Sequence, residues 1–387
     1  MADAAADYDL IVIGGGLAGT AAAVAAHRQG RSVVLVSARD RHPPDFRGEK
    51  LGEAQMRLFD RTGLGPAARA HATAFDGAWS YRFNRLAERS SEREYGSDYA
   101  ALVNALRDAI PPALRHVTAR VTALATGPDR QRVTLADGTE LTGRLLVLAT
   151  GLGDSLLRMA GIARRDISRQ HSLSLGFDLA RPAAGFPFAS MVWSREAGDP
   201  RLCYLTLFPI GTTMRGNLFT YRPLDDAWIG GFRTDPARAL RTAMPRLEAA
   251  VGRLDVAGKA VVRPIDLVEA VSPARDGLVL LGDAASVVCP TTGKGMAKAL
   301  TDADVLVNTW LPRWLETPGM GIDKISAFYA DPVKAALDRG AMRESLASRN
   351  ISLGQSSYWR LRRLASVTRL HWRDRAAEPI PAMAIAS

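Results

Sequence analysis

The sequence predicts an α/β protein in which a parallel sheet covered by helices is interleaved with an antiparallel sheet and followed by a C-terminal helical region. Two glycine-rich segments, residues 14–19 and 282–295, each follow a short apolar run of the kind that forms a buried parallel strand. Between them, residues 172–221 alternate polar and apolar side chains, which is typical of antiparallel strands. The order of these patterns predicts a first domain that is interrupted by a second.

The first glycine-rich segment has the features of a dinucleotide-binding turn. Residues 9–13 are the apolar strand, glycines follow at GxGxxG spacing, and an alanine-rich helix is predicted over residues 20–29. In such a unit the first glycine makes the tight turn, the second lets a pyrophosphate approach the backbone, and the third lets the helix pack on the sheet. The unit is Rossmann-like, and the residues assigned to its dinucleotide site are Gly14, Gly16, Leu17, Ala18 and Gly19.

The end of the second predicted strand, residues 33–36, departs from the usual pattern. That position normally carries an acid that binds the ribose hydroxyls of the dinucleotide. Here it is Ser37, which can form a hydrogen bond with a hydroxyl but carries no charge. Arg39 follows closely and favours a 2′-phosphate, as in NADP. The second glycine-rich segment favours FAD, and NADP in this site stays an alternative.

The second glycine-rich segment suits the flavin end of an FAD molecule. Residues 278–281 form an apolar strand, and Asp283 follows it, where a carboxylate can accept a hydrogen bond from a ribityl hydroxyl. Pro290 and Gly293 predict a turn that brings the backbone close to a flat ring. A helix then begins at Gly295, and its free N–H groups favour the negative charge of a reduced flavin. The residues assigned to this half of the site are Gly282, Asp283, Pro290, Gly293, Gly295 and Met296.

With these residues the chain resembles the FAD-dependent aromatic hydroxylase superfamily. This superfamily comprises the para-hydroxybenzoate hydroxylase-like group A flavin monooxygenases and also contains flavin halogenases and geranylgeranyl-reductase-like enzymes. The family's distal motif is a GD pair followed by a P-x-x-G-x-G turn, and the matching residues are Gly282, Asp283, Pro290, Gly293 and Gly295. The resemblance covers residues 7–310 and implies a Rossmann-like FAD-binding domain with an interleaved antiparallel-sheet substrate domain.

A middle motif and a segment after the second strand resemble the family in part. The family's DG-x-x-S-x-x-R motif is matched at Gly151, Ser155 and Arg158, but Thr150 replaces its aspartate. That aspartate is tied in the family to both FAD and NAD(P)H, so its loss leaves open whether a pyridine nucleotide reduces the flavin directly. An R-x-G-E-x-L-like segment begins at Arg47. The resemblance implies that Arg47 and Gly151 contact FAD.

The resemblance also implies a reaction. It predicts a FAD-dependent monooxygenase that hydroxylates an aromatic or polyketide-like small molecule through a flavin C4a-hydroperoxide, with O2 and with NADH or NADPH as electron donor. No catalytic residue is assigned, although His171 is a candidate base. A reductase of the geranylgeranyl-reductase type is the first alternative, favoured by Thr150. A halogenase lacks support because the WxWxIP signature is absent. A flavin-binding scaffold and dependence on a separate flavin reductase also stay open.

The antiparallel strands between the two segments are expected to form the wall of the substrate pocket, as in the family. Their candidate lining residues are Trp193, Tyr204, Phe208, Arg215, Phe219 and Tyr221. The ranges predicted for the FAD-binding domain are 1–72, 99–165 and 269–312. The ranges predicted for the substrate domain are 73–98 and 166–268, and those for the C-terminal helical region are 313–387.

Composition and charge argue against several other classes of protein. The formal net charge is +10, but no nucleic-acid motif accompanies it. Two cysteines argue against a disulfide framework, and six scattered histidines predict no metal site. No apolar run is long enough to span a membrane, and residues 1–6 do not read as a signal peptide, so a cytoplasmic enzyme is expected. Residues 358–364 and 369–373 are basic and apolar; we expect them to pack on the protein, with peripheral membrane contact as an alternative.

Overall fold

The structure is a computed structural model that describes residues 6–82, 84–194, 199–362 and 378–379 of the 387-residue chain. Its strands, in chain order, are β1 (Tyr8–Ile13), β2 (Val33–Ser37), β3 (Gly48–Gly52), β4 (Thr73–Arg82), β5 (Arg85–Asp98), β6 (Arg115–Thr118), β7 (Val121–Ala125), β8 (Gln131–Leu135), β9 (Glu140–Leu148), β10 (Arg164–Pro182), β11 (Ser190–Ser194), β12 (Leu202–Ile210), β13 (Thr213–Thr220), β14 (Val256–Ala270), β15 (Leu278–Leu280) and β16 (Glu378–Pro379).

Helices connect these strands and close the chain. They are α1 (Leu17–Arg28), α2 (Glu53–Thr62), α3 (Gly65–His71), α4 (Tyr99–Asp108), α5 (Ser155–Met159), α6 (Ala227–Thr234), α7 (Pro236–Ala243), α8 (Leu247–Val251), α9 (Gly295–Asp304), α10 (Leu311–Leu315), α11 (Ile322–Ala330) and α12 (Pro332–Leu353). A π-helical segment, Val305–Trp310, joins α9 to α10. The predicted α/β class is confirmed, with a parallel core sheet and a separate antiparallel sheet.

The first sheet has the strand order β6-β2-β1-β9-β8-β7, and β15 also pairs with β9. Strand β1 runs parallel to both β2 and β9, and β9 runs parallel to β15. The central residues 10–13, 33–36, 145–148 and 278–280 of these strands are apolar because both faces of the sheet are buried there, one against α1 and the other against β7, β8 and α5. Parallel strands end at the same edge, so the segments after β1, β2, β9 and β15 meet there.

The second sheet has the order β14-β10-β13-β12-β11-β4-β5-β16, and β3 pairs with β5. On β10, Leu173, Leu175 and Phe177 face one side and pack against the short helices α6, α7 and α8. The alternate residues of the same strands face the first sheet and its loops. We call this second side the inner face; it includes Ser174 and Gly176 with the residues paired to them on β13.

Most predicted elements of the middle region are confirmed. The predicted strands within residues 172–221 correspond to β10 to β13, although Arg195, the last residue of one of them, lies outside the described ranges. The helix predicted over residues 99–112 ends at Asp108, ahead of the two prolines. The helical stretch predicted over 236–254 is broken into α7 and α8 near Pro245. Strand β3 lies inside the range 1–72 but pairs with β5 of the second sheet.

The C-terminal region is helical through residue 362, in agreement with the prediction. Residues 357–362 form a helix that exposes Tyr358 and Leu361, and the basic stretch 369–373 lies outside the described residues. In the part of the chain that the structure describes, no helix is long and apolar enough to cross a membrane. Within the same ranges, no cluster of histidine, cysteine and acidic side chains is arranged to hold a metal ion.

A buried ion cluster ties α9 and α12 to the end of β15. Asp302 is 1% exposed, and its carboxylate lies 2.6 Å from Lys334 Nζ and 3.3 Å from Lys298 Nζ. The Asp338 carboxylate lies 3.0 Å from Lys334 Nζ and 3.5 Å from Lys298 Nζ. Burial disfavours the charge of Asp302, but the two ammonium groups hold the pKa of its carboxyl below its ordinary value. The carboxylate also accepts a hydrogen bond from the Gly282 N–H at 2.8 Å, so the cluster fixes the GD motif.

We predict that Asp302→Asn lowers the free energy of unfolding by about 3–5 kcal/mol, because it leaves two buried ammonium groups with one carboxylate between them. Urea unfolding followed by tryptophan fluorescence measures this loss. Asp60→Asn is the matched control, since Asp60 and Arg69 form an ion pair whose side chains are 44% and 37% exposed. The control is expected to change stability by less than about 1 kcal/mol. Equal losses in the two variants would contradict the prediction.

Candidate cofactor and active site

A cavity of about 710 Å³ opens where the parallel strands of the first sheet end. It is bounded by the β1–α1 turn, by the segments after β2, β9 and β15, and by the start of α9. We call it the cofactor cavity. The predicted cofactor residues that line it are Gly14, Gly16, Leu17, Ala18, Ser37, Arg39, Arg47, Gly151, Gly282, Asp283, Gly295 and Met296. Gly19, Pro290 and Gly293 are not among its lining residues.

The three glycines of the first motif have different physical roles. Gly14 has φ +113°, and a Cβ there would lie 2.3 Å from the Ala149 carbonyl oxygen. A Cβ on Gly19 would lie 1.9 Å from the Gly14 carbonyl oxygen, so both positions exclude a side chain for reasons of folding. A Cβ on Gly16 would meet no protein atom within 4 Å. Gly16 therefore keeps space open in the cavity itself, beside the uncapped N-terminus of α1.

The loop after β2 is held by an arginine that the sequence reasoning missed. The Arg107 guanidinium, on α4, donates to the Gly15 carbonyl at 2.6 Å and to the Arg39 and Asp40 carbonyls at 3.0 and 2.7 Å. Arg107 thus joins the glycine turn to the loop that follows the second strand. The side chain of Arg39 lines the cavity and forms no ion pair with any described residue. Spacing in the sequence gives no signal for these contacts.

Arg47 lies with Asp283 at the opposite end of the cofactor cavity. Its Nε donates to Glu49, and its guanidinium lies 4.1 Å from the centre of the Tyr99 ring. Burial disfavours the charge, but Glu49, Tyr99 and Asp283 together raise the pKa of Arg47 above its ordinary value. The side chain is therefore a permanent cation beside the carboxylate of the GD motif. Tyr99, whose pKa is raised by burial, was not predicted from the sequence.

The distal turn is shaped by residues behind the cavity. Pro290–Thr292 forms a 3₁₀ turn, and Gly293 follows with φ +64° before α9 begins. Pro290 and Gly293 therefore form the turn rather than the cavity wall. Cys289 is fully buried; its N–H donates to the Ser345 hydroxyl at 3.0 Å, and its sulfur accepts from the Thr291 hydroxyl at 3.0 Å. These contacts agree with the packing role that burial favours for this thiol.

A second arginine links the middle and distal motifs. The Arg164 side chain, 11% exposed, donates to the Gly151 carbonyl at 2.7 Å and to the Asp283 carbonyl at 3.2 Å. Gly151 has φ +61°, which a glycine adopts without strain. Thr150 lines the cavity beside it. The partial match at residues 150–158 is thus held against the GD motif by a residue outside both motifs.

The candidate substrate residues divide between the two faces of the second sheet. Tyr204, Phe208, Arg215, Phe219 and Tyr221 belong to the inner face, by the pairing of Tyr204 with Phe219 and of Phe208 with Arg215. Tyr204 donates from its hydroxyl to the Thr291 carbonyl at 3.1 Å, which joins this face to the distal turn. The Tyr204 and Phe219 rings lie 5.0 Å apart. The inner face is thus aromatic next to the distal turn.

Trp193 corrects the prediction, because it lies on the opposite face. It is 1% exposed and packs in the core against Tyr81, with ring centres 5.0 Å apart. It also belongs to the cluster that covers α6 to α8. Alternation along β11 explains this: Met191 is also buried in that core, so Trp193, two residues on, shares its face. Trp193 is a core residue and does not line a substrate pocket.

His171, the candidate base, is buried inside the protein. Its Nδ1 lies 3.1 Å from the Ser168 hydroxyl, and its Nε2 lies 3.2 Å from the Ser345 carbonyl oxygen. Because a carbonyl only accepts, Nε2 carries the hydrogen and the ring is neutral. Burial and the nearby Arg349 lower the pKa of His171 to about 4. This environment gives the ring a structural role between β10 and α12.

Comparisons with known proteins support the cofactor class. The family model for FAD dependent oxidoreductases matches residues 9–42, and a FAD-NAD(P)-binding model matches residues 81–153. A squalene epoxidase model matches residues 247–334. The first match includes the glycine turn, and the second includes Thr150 and Gly151 at the start of the middle motif. The third includes the distal motif and α9.

Two characterised relatives and one solved structure extend these matches. The chain is 25% identical to squalene epoxidase of Aspergillus fumigatus, over 85% of this chain and 72% of that protein. It is 28% identical to 2-heptyl-3-hydroxy-4(1H)-quinolone synthase of Pseudomonas aeruginosa, over half of each chain. The structure of Klebsiella pneumoniae HpxO with FAD and uric acid aligns with a TM-score of 0.72 at 19% identity, covering 94% of this chain and 92% of that one.

The predicted cofactor and class are confirmed by these findings. The chain is a FAD-dependent oxidoreductase, and its fold is that of the HpxO structure with FAD. The individual cofactor residues are known here by their position around the cavity, and their contacts with FAD stay predictions.

We predict that Gly16→Val abolishes FAD binding while the fold is kept. The added side chain meets no protein atom, so it occupies cavity space that the pyrophosphate needs. The flavin content of the purified protein and its thermal unfolding measure the two effects. Gly230→Val on α6 is the matched control, since a Cβ there also meets no atom within 4 Å. If the purified Gly16→Val protein contained as much flavin as the wild type, the placement of the pyrophosphate at Gly16 would be wrong.

We also predict that His171 makes the protein lose stability in acid. The pKa is about 4 in the folded state and near 6.5 when unfolded, so the unfolded chain binds more protons between these values. Stability therefore falls as pH drops from about 6.5 to 4, by up to about 3 kcal/mol from this group. His171→Gln should lose that part of the pH dependence in urea unfolding at pH 7 and 4.5. His71→Gln, at an exposed position, should keep the wild-type profile.

Proposed function

We propose that this FAD-dependent oxidoreductase is a monooxygenase that hydroxylates an aromatic or polyketide-like small molecule. In the overall reaction, one atom of O2 enters the substrate and the other becomes water, with two electrons supplied by NADH or NADPH. The observation that carries the proposal is the convergence of three separated motifs on one cavity, beside the inner face of the second sheet. Ligands of α/β folds bind at such an edge, where parallel strands end.

The residues around the cofactor cavity fit FAD at each end. The open space at Gly16 and the uncapped N-terminus of α1 suit the pyrophosphate. At the other end, the Asp283 carboxylate suits a ribityl hydroxyl, and Arg47 suits the electron-rich part of a flavin. Bound FAD would supply the redox chemistry and the activation of O2. The N–H groups that begin α9 would stabilise the negative charge of the reduced cofactor.

The inner face of the second sheet supports a planar substrate. Next to the distal turn it presents Tyr204 and Phe219, whose rings favour an aromatic or flat polycyclic body. Further along the same face, the Thr206 hydroxyl donates to the Asn217 carbonyl at 3.4 Å and the Asn217 amide donates to the Gly48 carbonyl at 2.9 Å, so these polar groups have partners within the protein. Two of the three similar proteins agree with this class: HpxO was crystallised with uric acid, and the quinolone synthase is named for a heteroaromatic product. The third is named for squalene.

The source of the electrons depends on Thr150. It lines the cavity where the family has an aspartate, and this observation favours two further readings. One is a monooxygenase that takes its electrons from a separate flavin reductase. The other is a reductase of the geranylgeranyl-reductase type, which would reduce a carbon–carbon double bond and leave O2 unused. Direct reduction by NAD(P)H remains the first proposal because a FAD-NAD(P)-binding model covers this segment.

The test is anaerobic reduction of the FAD-loaded protein by NADPH and NADH, with and without phenols and N-heteroaromatic compounds, followed by mixing with ¹⁸O2. We expect the flavin absorbance to bleach and one ¹⁸O atom to enter the product, as detected by mass spectrometry. Oxygen incorporation after reduction by dithionite alone would indicate a separate reductase. A product with two added hydrogens and no ¹⁸O would refute the monooxygenase and support the reductase.

Thr150→Asp tests the electron path in the same assay. The variant restores the carboxylate of the family motif at a position that lines the cavity, so we expect faster reduction by NAD(P)H. Reduction by dithionite serves as the control and should not change. If the variant and the wild type are reduced at the same rate, the residue at position 150 does not govern the use of pyridine nucleotides.

A further inference from the structure

The adenosine end of the cofactor cavity lacks the acid that usually receives the ribose hydroxyls. Ser37 stands in that position at the end of β2 and lines the cavity. The side chains around it are cationic: Arg39, Arg41 and Arg107 also line this part of the cavity. A ribose hydroxyl has both a hydrogen to donate and an oxygen that accepts. Arginines satisfy the oxygen only, so the hydrogen needs an acceptor from elsewhere.

The structure offers an acceptor built from two residues. The Ser37 Oγ lies 2.9 Å from Nε2 of His116, which stands on the neighbouring parallel strand β6. Ser37 is 1% exposed and lies directly under the glycine turn, since a Cβ on Gly15 would be 2.2 Å from its Oγ. If the neutral ring receives the Ser37 hydrogen at Nε2, the serine oxygen presents only lone pairs. A serine held in this way accepts hydrogen bonds as a carboxylate oxygen does.

We propose that Ser37 and His116 act as a pair that accepts the hydrogen bond of an FAD ribose hydroxyl, in place of the missing carboxylate. The inference rests on the proposed placement of FAD in the cofactor cavity. His116 is thereby a binding residue that acts through Ser37, and neither its position in the sequence nor its spacing from the glycine motif would identify it.

The groups around His116 favour its neutral ring, which is the form in which the Ser37 oxygen can accept a hydrogen bond from the ribose. Burial and the Arg107 guanidinium lower the pKa of His116 below its ordinary value, and Asp40 opposes them. These two charged groups face the ring from α4 and from the loop after β2. When His116 is protonated, Nε2–H donates to Ser37, whose own hydrogen is then free, and the pair becomes a donor among cations. Because this pKa lies below the ordinary histidine value, FAD affinity should be constant at neutral and alkaline pH and should fall only when the pH drops through the lowered pKa of His116.

The competing acceptor is the Asp40 carboxylate. It lies on the same loop, exposed to solvent, and does not line the cavity. Asp40→Asn is consequently the control that separates the two sources of an acceptor. If Asp40 receives the ribose hydroxyl, this variant loses affinity and Ser37→Ala does not.

The experiment measures FAD dissociation constants of the apoprotein, from quenching of flavin fluorescence, at pH 5.5, 6.5 and 8. Ser37→Ala and His116→Phe should each weaken binding about five- to tenfold at pH 8, the effect of one hydrogen bond. The double variant should lose no more than either single one. Thermal unfolding of each apoprotein checks the fold.

His116→Gln supplies the rescue. The glutamine amide oxygen can take the place of Nε2 as acceptor but does not titrate. We expect affinity close to that of the wild type at pH 8 and no further loss at pH 5.5. If Ser37→Ala bound FAD as tightly as the wild type, or if only Asp40→Asn lost affinity for FAD, Ser37 and His116 would not be the acceptor of the ribose hydroxyl. Normal FAD binding by Gly16→Val would instead overturn the placement of FAD, so the two failures are distinguishable.

Discussion

The parallel pairing of four strands from distant parts of the chain is the constraint on which the site depends. β1, β2, β9 and β15 run in one direction and end at one edge, although they span residues 8–280. The part of each strand that leads to this edge is mainly apolar because both faces of the sheet are buried there, so packing fixes the register of this core. Three motifs that share no sequence neighbourhood are brought to the same cavity by this geometry alone.

Loops at such an edge need further support, and here it comes from buried charged side chains. Arg107 and Arg164 each bind carbonyl oxygens from two different segments, which suits a guanidinium with five donors in a fixed plane. The Asp302 cluster holds the N–H of Gly282 from below. The charged residues therefore set the backbone on which the cofactor would lie.

Local sequence could predict the strands, the glycine turn and the distal turn, because each depends on residues within a few positions. It could not predict Arg107, Arg164 or His116, because each has a partner far away in the sequence: Gly15 is 92 positions from Arg107, Asp283 is 119 from Arg164, and Ser37 is 79 from His116. The misplacement of Trp193 was of a different kind. Trp193 lies two residues from Met191 on β11 and pairs with Leu205 of β12, and both of these residues are buried in the core on that side. The aromatic ring of Trp193 suggests a pocket residue, but successive side chains of a strand point to opposite faces, and this alternation places Trp193 in the core.

The inner face of the second sheet and the cofactor cavity share a structural element. The Arg215 guanidinium is committed to Asp178 at 2.6 Å and lies 3.9 Å from the Phe46 ring. Asn217 donates to the Gly48 carbonyl at 2.9 Å. Phe46 and Gly48 flank Arg47, the cation that enters the cofactor cavity. Arg215 is thus a brace within the sheet rather than a free charge for a substrate. Because the same sheet face holds both neighbours of Arg47, its geometry fixes the flavin end of the cavity.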